Sequence, residues 1–215
     1  MKIHIQKPVR GLPKAKGGFG CIVADPPWPF SNQATRAATG KHYTDMDAWR
    51  IMSMPVEKMA AAEAHLYLWT TQTHLPIALE VVHRWGFEFK TSLVWVKTKC
   101  VETYVHRVPA GVDAPEKTSV VHHVPAGVAD CKIQIGLGNW YRHAHEICLF
   151  GVRGKCRAIA KNLPDVIFAP RGEHSSKPDT LQEMAELMSP GPRAELFARR
   201  IRPGWSCWGD EVQPR

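Results

Sequence analysis

The sequence has no two cysteines at C-x-x-C spacing, no apolar run approaching a membrane span, and no apolar stretch near its start. Each absence excludes something. The six cysteines (Cys21, Cys100, Cys131, Cys148, Cys156 and Cys207) read as free thiols, several of them inside apolar strand-like runs, which suits a reducing cytosol. The opening residues, MKIHIQKPVRGLPKAKGG, lack the apolar core of a signal peptide. The expected location is therefore cytoplasmic, with no membrane anchor and no membrane partner. Acids are also short relative to bases: 20 against 28 Lys and Arg, for a formal charge of +8 and a pI near 9.3. Such a balance favours polyanionic partners such as nucleic acid. With 44% hydrophobic and 22% charged residues, global disorder is excluded, and 215 residues fit a single domain, 1–215.

Strand and helix patterns alternate along the chain. Residues 1–18 are basic and rich in Gly and Pro, and read as a flexible lead-in. Strands are expected at Phe19–Ala24, His65–Thr71, Ser92–Lys97, Glu146–Val152, Asp165–Ala169, Ala194–Arg199 and Trp205–Gly209. A helix follows the second strand, with Ala78, Val81, Val82 and Trp85 at helical spacing and Gly86 as its stop. Another starts at Pro178, carrying Leu181, Met184, Ala185 and Met188 on one face. This order predicts an α/β domain, a mostly parallel sheet flanked by helices, with ligand sites at the carboxyl ends of the strands. One repeat interrupts it: VHRVPAGV at 105–112 returns as VHHVPAGV at 121–128. Two copies are too few for a solenoid, so 99–134 reads as an insertion that is either a functional flap or mobile.

The stretch CIVADPPWPF, residues 21–30, is the most informative. A buried-strand composition runs directly into Asp25, Pro26, Pro27 and Trp28. Taken alone, this is a strand followed by a turn, with Asp25 capping nearby N–H groups and Trp28 plugging the core edge. The alternative starts from the prolines, which lack N–H groups and fix φ, so that the backbone after Asp25 offers acceptors without donors. One carboxylate, neighbouring carbonyls and an aromatic face suit a planar ligand with an NH₂ group, such as a nucleobase, and Trp28 is placed to stack on it.

DPPW is the catalytic signature of the N(6)-adenine methyltransferases of the MT-A 70-kDa-subunit-like type, and the chain resembles that family, in its phage and bacterial form, from about Gly20 to Val212 outside the insertion. HLYLWTT, WGFEFKTSLVWVK, GLGNWYRHAHEICLFGVRG, HSSKPDTLQEMAELMSPGPRAELFARR and PGWSCWGDEV follow in the family's order. The resemblance implies a Rossmann-like S-adenosylmethionine-dependent methyltransferase fold in the permuted order, with the catalytic motif ahead of the cofactor segment. Absence of G-x-G-x-x-G is then no objection. It also implies that Asp25, Pro26, Pro27 and Trp28 are catalytic, and that Lys177, Glu195, Phe197, Arg199, Asp210 and Glu211 bind S-adenosyl-L-methionine. Lys177 and Arg199 can pair with a carboxylate or bond ribose oxygens, and the acids can accept from hydroxyls or an ammonium. Relatives often carry Asn and Gln at the positions of Asp210 and Glu211, so any contact made there by an amide donor is missing here.

The segment Asn139, Trp140, Tyr141, Arg142 and His143 corresponds to the substrate side of the cleft in the family. A metal site from His143 and His145 has no third and fourth ligand at familiar spacing, and no metal is expected. The expected activity is methyl transfer from S-adenosylmethionine to the N(6) amine of adenine, with DNA ahead of RNA, the target being single-stranded or flipped out. Arg199–Arg202 and Arg153–Arg157 are candidate phosphate contacts. Two alternatives stand beside it: a catalytically silent nucleic-acid-binding partner subunit, which an intact Asp25 argues against, and an N(4)-cytosine methyltransferase. A homodimer or partner subunit is compatible with either activity.

Overall fold

Phe19–Ala24 (β1) reads FGCIVA, six residues without a charge, and all six are buried. A strand covered on both faces has this composition. The computed structural model describes residues 11–29, 47–99, 132–136, 140–172 and 176–212. Among the described residues six further strands accompany β1: Ala60–Thr70 (β2), Glu88–Thr98 (β3), His145–Arg153 (β4), Val166–Pro170 (β5), Arg193–Leu196 (β6) and Trp205–Trp208 (β7). They form one sheet in the order β5-β3-β4-β2-β1-β6-β7. Parallel pairs join β1 to β2 and β6, β6 to β7, and β3 to β5. Only β4 runs against its neighbours, β2 and β3. The sheet is thus mostly parallel, as the alternating pattern predicts.

Helices cover both faces. Ala48–Met52 (α1), Val56–Met59 (α2) and Leu75–Arg84 (α3) lie on one side, and Thr180–Met188 (α4) on the other. In α3 the predicted stripe of Ala78, Val81, Val82 and the capping Trp85 is fully buried. Gly86, at φ +81°, closes that helix: its N–H donates to His83 O and the Phe87 N–H to Val82 O, a left-handed exit that favours glycine. The strands divide their side chains with period two. Ile22, Ala24, Leu66, Leu68 and Leu149 face α3, whereas Cys21, Val23, Tyr67, Trp69, Trp95 and Cys148 face α4.

Three boundaries differ from expectation by three residues or more. β2 begins at Ala60 and β3 at Glu88, both earlier than the apolar runs suggest. Ala60–Ala64 has a helix-forming composition, but pairing of Phe19 with Ala60 and of Ala64 with Arg153 holds it extended. β6 ends at Leu196 instead of reaching Arg199, because Phe197 adopts φ +62° and turns the chain out of the sheet. Ala198 N–H then donates to Trp208 O, and a Cβ on Gly209 would lie 2.3 Å from Ala198 O, so only glycine fits that crossing.

Residues 1–10 of the lead-in and 100–131 of the insertion lie outside the described residues. Leu12 and Ala15 pack against the α3-side core. The base of the insertion is clasped: Lys99 N–H donates to Lys132 O and Gln134 N–H to Lys97 O. No helix among the described residues is long and apolar enough to cross a membrane.

Candidate active site

The α4 face of the sheet ends in charge. On β1, Cys21 and Val23 face α4, so the next residue of that parity, Asp25, leaves the strand's carboxyl end on the same side. By the same alternation, Lys97 follows Leu93 and Trp95 on β3. β4 runs the other way, so its first inward residue, Glu146, also reaches this edge. In strand order this edge carries Lys97 on β3, Glu146 on β4, Trp69 on β2 and Asp25 just past β1.

Lys177, three residues before α4, lies over this edge. Its Nζ donates to both oxygens of Asp25 at 2.8 and 2.9 Å and sits 3.2 Å from Glu146 Oε2. The ammonium is also 5.7 Å from the ring centroid of Trp69, which occupies the strand between the two acids. The other Glu146 oxygen, Oε1, is 2.6 Å from Lys97 Nζ. Four alternating charges therefore run Asp25–Lys177–Glu146–Lys97, with side-chain exposures of 22%, 14%, 17% and 11%. Burial works against the charge of Lys177, but Asp25 and Glu146 outweigh it and hold its ammonium above the ordinary lysine range. Burial likewise opposes ionised Glu146, and the two lysines overcome it, holding that carboxyl below its ordinary value.

After Asp25 the chain tightens. Trp28 N–H donates to Pro26 O at 2.9 Å, a turn that uses one of that carbonyl's two lone pairs. Trp28 does not stand free for a base to stack on. It is 4% exposed, its ring stacks on His74 at 5.6 Å, and its indole N–H donates to Trp69 O at 2.9 Å. His74 Nε2 bonds in turn to Pro29 O and Nδ1 to Thr71 Oγ1, both at 2.8 Å. The ring plugs the edge of the core and fixes the Asp25 turn, which corrects the expected stacking role.

Beside Asp25, β6 and β7 bring in the remaining cofactor candidates. Asp25 N–H donates to Leu196 O at 3.4 Å, which places Glu195 and Phe197 next to the acid. Phe197 meets Trp208 edge-on at 5.5 Å. Glu195 accepts from Gln182 Nε2 at 3.1 Å. Its buried Oε2 faces the buried Arg202 Nε at 3.6 Å, an ion pair longer than a hydrogen bond, and among the described residues Gln182 Oε1 is buried without a hydrogen-bond partner. Burial raises the Glu195 carboxyl above its ordinary range, with Arg202 opposing. Asp179 is bonded by Arg200 and Arg202. Arg199 is half-buried, while Asp210 and Glu211 are exposed just beyond β7.

Of the residues expected on the substrate side, Trp140 (94% exposed) and Tyr141 (87%) project into solvent. Arg142 is exposed and His143 half-buried, its carbonyl accepting from Gly136 N–H. These residues precede Glu146 and so stand at the same sheet edge. Asn139 lies outside the described residues. Of the residues expected to act together, the fold gathers Asp25, Lys177, Glu195 and Phe197. Lys177, expected on the cofactor, is committed to Asp25. Glu146 and Lys97 belong to the site and escape the sequence reading, although each, like Asp25, is a charge terminating an apolar strand.

The family model described as MT-A70 matches residues 19–124 and 127–211. The human N(6)-adenosine-methyltransferase catalytic subunit METTL3 is 28% identical over 200 residues, covering 91% of this chain and 28% of that protein. The Drosophila melanogaster N(6)-adenosine-methyltransferase MT-A70-like protein is 26% identical over 200 residues, covering 91% and 27%. The mouse N(6)-adenine-specific methyltransferase METTL4 is 27% identical over 209 residues, covering 90% and 37%. The chain thus spans between 27% and 37% of the length of these curated relatives.

Proposed function

Because this chain belongs to the MT-A70 family, with the Rossmann-like architecture of its methyltransferases, we propose that it transfers a methyl group from S-adenosylmethionine to the N(6) amine of adenine in nucleic acid. The observation that carries this reading is Asp25: a partly exposed carboxylate at the carboxyl end of the interior strand β1, followed by two residues without N–H groups and held by Lys177. S-adenosylmethionine supplies an electrophilic methyl group on a sulfonium.

The chain's task is to present a poor nucleophile. The adenine amine's lone pair is delocalised into the ring. A carboxylate has about four acceptor positions, and Lys177 occupies two on Asp25. The others can accept the amine protons, together with the second lone pair of Pro26 O. Holding both protons fixes the nitrogen's direction and favours its pyramidal form. Asp25 or water can take the proton released after transfer.

Glu195, Gln182 and Arg202 suit the cofactor, since the long 3.6 Å ion pair of Glu195 with Arg202 and the buried Gln182 Oε1 leave hydrogen-bonding capacity for a polar ligand such as a ribose, whose hydroxyls can donate and accept. Trp140 and Tyr141 offer exposed faces for an unpaired base, and Arg142 a phosphate contact. Pairing would hide the amine, so the target is single-stranded or flipped, at a cost of about a few kcal/mol. DNA is placed ahead of RNA on the resemblance described above.

The test is incubation with methyl-labelled S-adenosylmethionine and DNA or RNA oligonucleotides, followed by nucleoside analysis. Label in N(6)-methyladenine is expected, more from DNA. Label in N(4)-methylcytosine, or in no nucleoside, overturns the reading, the latter in favour of a silent binding subunit.

A further inference from the structure

Glu146 has a place in the site that Asp25 alone does not explain. It lies on β4, two strands from β1, yet one of its oxygens faces Lys177 at 3.2 Å and the other faces Lys97 at 2.6 Å. A carboxylate engaged on both oxygens by cations from separate elements cannot rotate without losing one. Lys97 is itself immobilised: it is 9% exposed, extends from the middle of the β5-β3-β4 sheet segment, and lies 5.3 Å from the Trp95 ring. Lys177, in contrast, sits outside regular structure on a flexible four-carbon stem with many rotamers. One acceptor, Asp25, would leave its ammonium several positions. Two acceptors on strands separated by Trp69 leave it one, above the indole.

We propose that Glu146 is a positioning residue for methyl transfer: clamped by Lys97, it fixes the Lys177 ammonium, which in turn sets the direction in which Asp25 offers its free lone pairs to the amine. The inference rests on the methyl-transfer reading above, and adds to it a residue that acts through Lys177. Among the described residues, the groups facing Lys177 are Asp25 from the end of β1, Trp69 from β2 and Glu146 from β4, and of these Glu146 is the one tied to a second cation. Reaction geometry is sensitive to displacements of about 1 Å, so a loosened Lys177 should be felt in turnover rather than in binding.

The experiment is Glu146→Gln in the full chain, with two readouts. In steady-state kinetics, kcat should fall about tenfold while KM for S-adenosylmethionine stays within about threefold. In the second, Lys177 acylation by an amine-directed reagent at pH 9, followed by peptide mass spectrometry, should rise several-fold, because its ammonium loses one of its two carboxylates. If the Gln variant does not fold, Lys97→Met, which removes the clamp and keeps Glu146, should show the same two changes at smaller amplitude. A kcat within twofold of the unaltered protein, or unchanged Lys177 labelling, overturns the inference. So does a KM effect without a kcat effect, which would make Glu146 part of the cofactor site. Should the unaltered protein methylate no adenine, the functional reading fails, and labelling still decides whether Glu146 positions Lys177.

Discussion

The α4 face of the sheet has two ends, and they are built differently. Lys177 precedes the helix and Ser189 follows it, so one helix roofs both. At the carboxyl end, four alternating charges stay partly open to solvent. At the amino end, Ser189 Oγ bonds Tyr67 OH and His65 Nδ1, each at 2.9 Å, and His65 Nε2 lies 3.4 Å from Cys156 O. That chain is neutral and closed, His65 being 1% exposed and Ser189 0%. It is satisfied by one proton order: Tyr67 donates to Ser189, Ser189 to His65, and His65 to the Cys156 carbonyl. The difference separates two uses of buried polarity. A neutral network with every partner supplied locks a helix end, whereas a charged one with spare acceptors at a partly exposed acid can engage a ligand.

Breaking each end should therefore have distinct consequences. Lys177→Met leaves two acids and Lys97 without their bridge, and should cost about 3 kcal/mol in denaturant unfolding while removing most methyl transfer. A stable, active variant would mean that the charges are not coupled. Ser189→Ala strands Tyr67 and His65 and should cost about 1–3 kcal/mol, with turnover at permissive temperature unchanged. Lost turnover in the folded variant would join the two ends.

The smallest effect is one of pH. Burial depresses the His65 imidazole, with the Cys156 carbonyl opposing. The unfolded chain then takes up the proton first, so stability should begin to fall as pH drops below about 6.5. Glu146 is held below the ordinary carboxyl range, so its contribution is present above about 4.5 and is lost only at lower pH, through its folded value. Melting temperatures measured from pH 7 to 3 should show both windows, and His65→Gln should flatten only the upper one. Identical slopes in that variant would remove the amino-end network from the acid response.

Much of this was legible in the residues. The uncharged run of β1, the i, i+3, i+4, i+7 stripe of α3 and the DPPW turn each carry a local physical cause, and the family's motif order extends from them across the chain. Glu146 and Lys97 were less legible because their convergence depends on β4 running backwards, and strand direction leaves no mark in period-two alternation. The early end of β6 was hidden too: Phe197 enters the left-handed region because of a backbone crossing with residues 208 and 209, a contact between distant segments. Trp28 shows the reverse. Its bland reading, as a plug at the core edge, is the one its burial and its bond to Trp69 O support.

The account depends on Asp25 gripping an amine. Replacing it with alanine and measuring methyl transfer to adenine at saturating S-adenosylmethionine, with cofactor affinity determined separately by calorimetry, tests that directly. Turnover should fall about 100-fold or more, with affinity within about threefold. Turnover equal to that of the unaltered protein would contradict it.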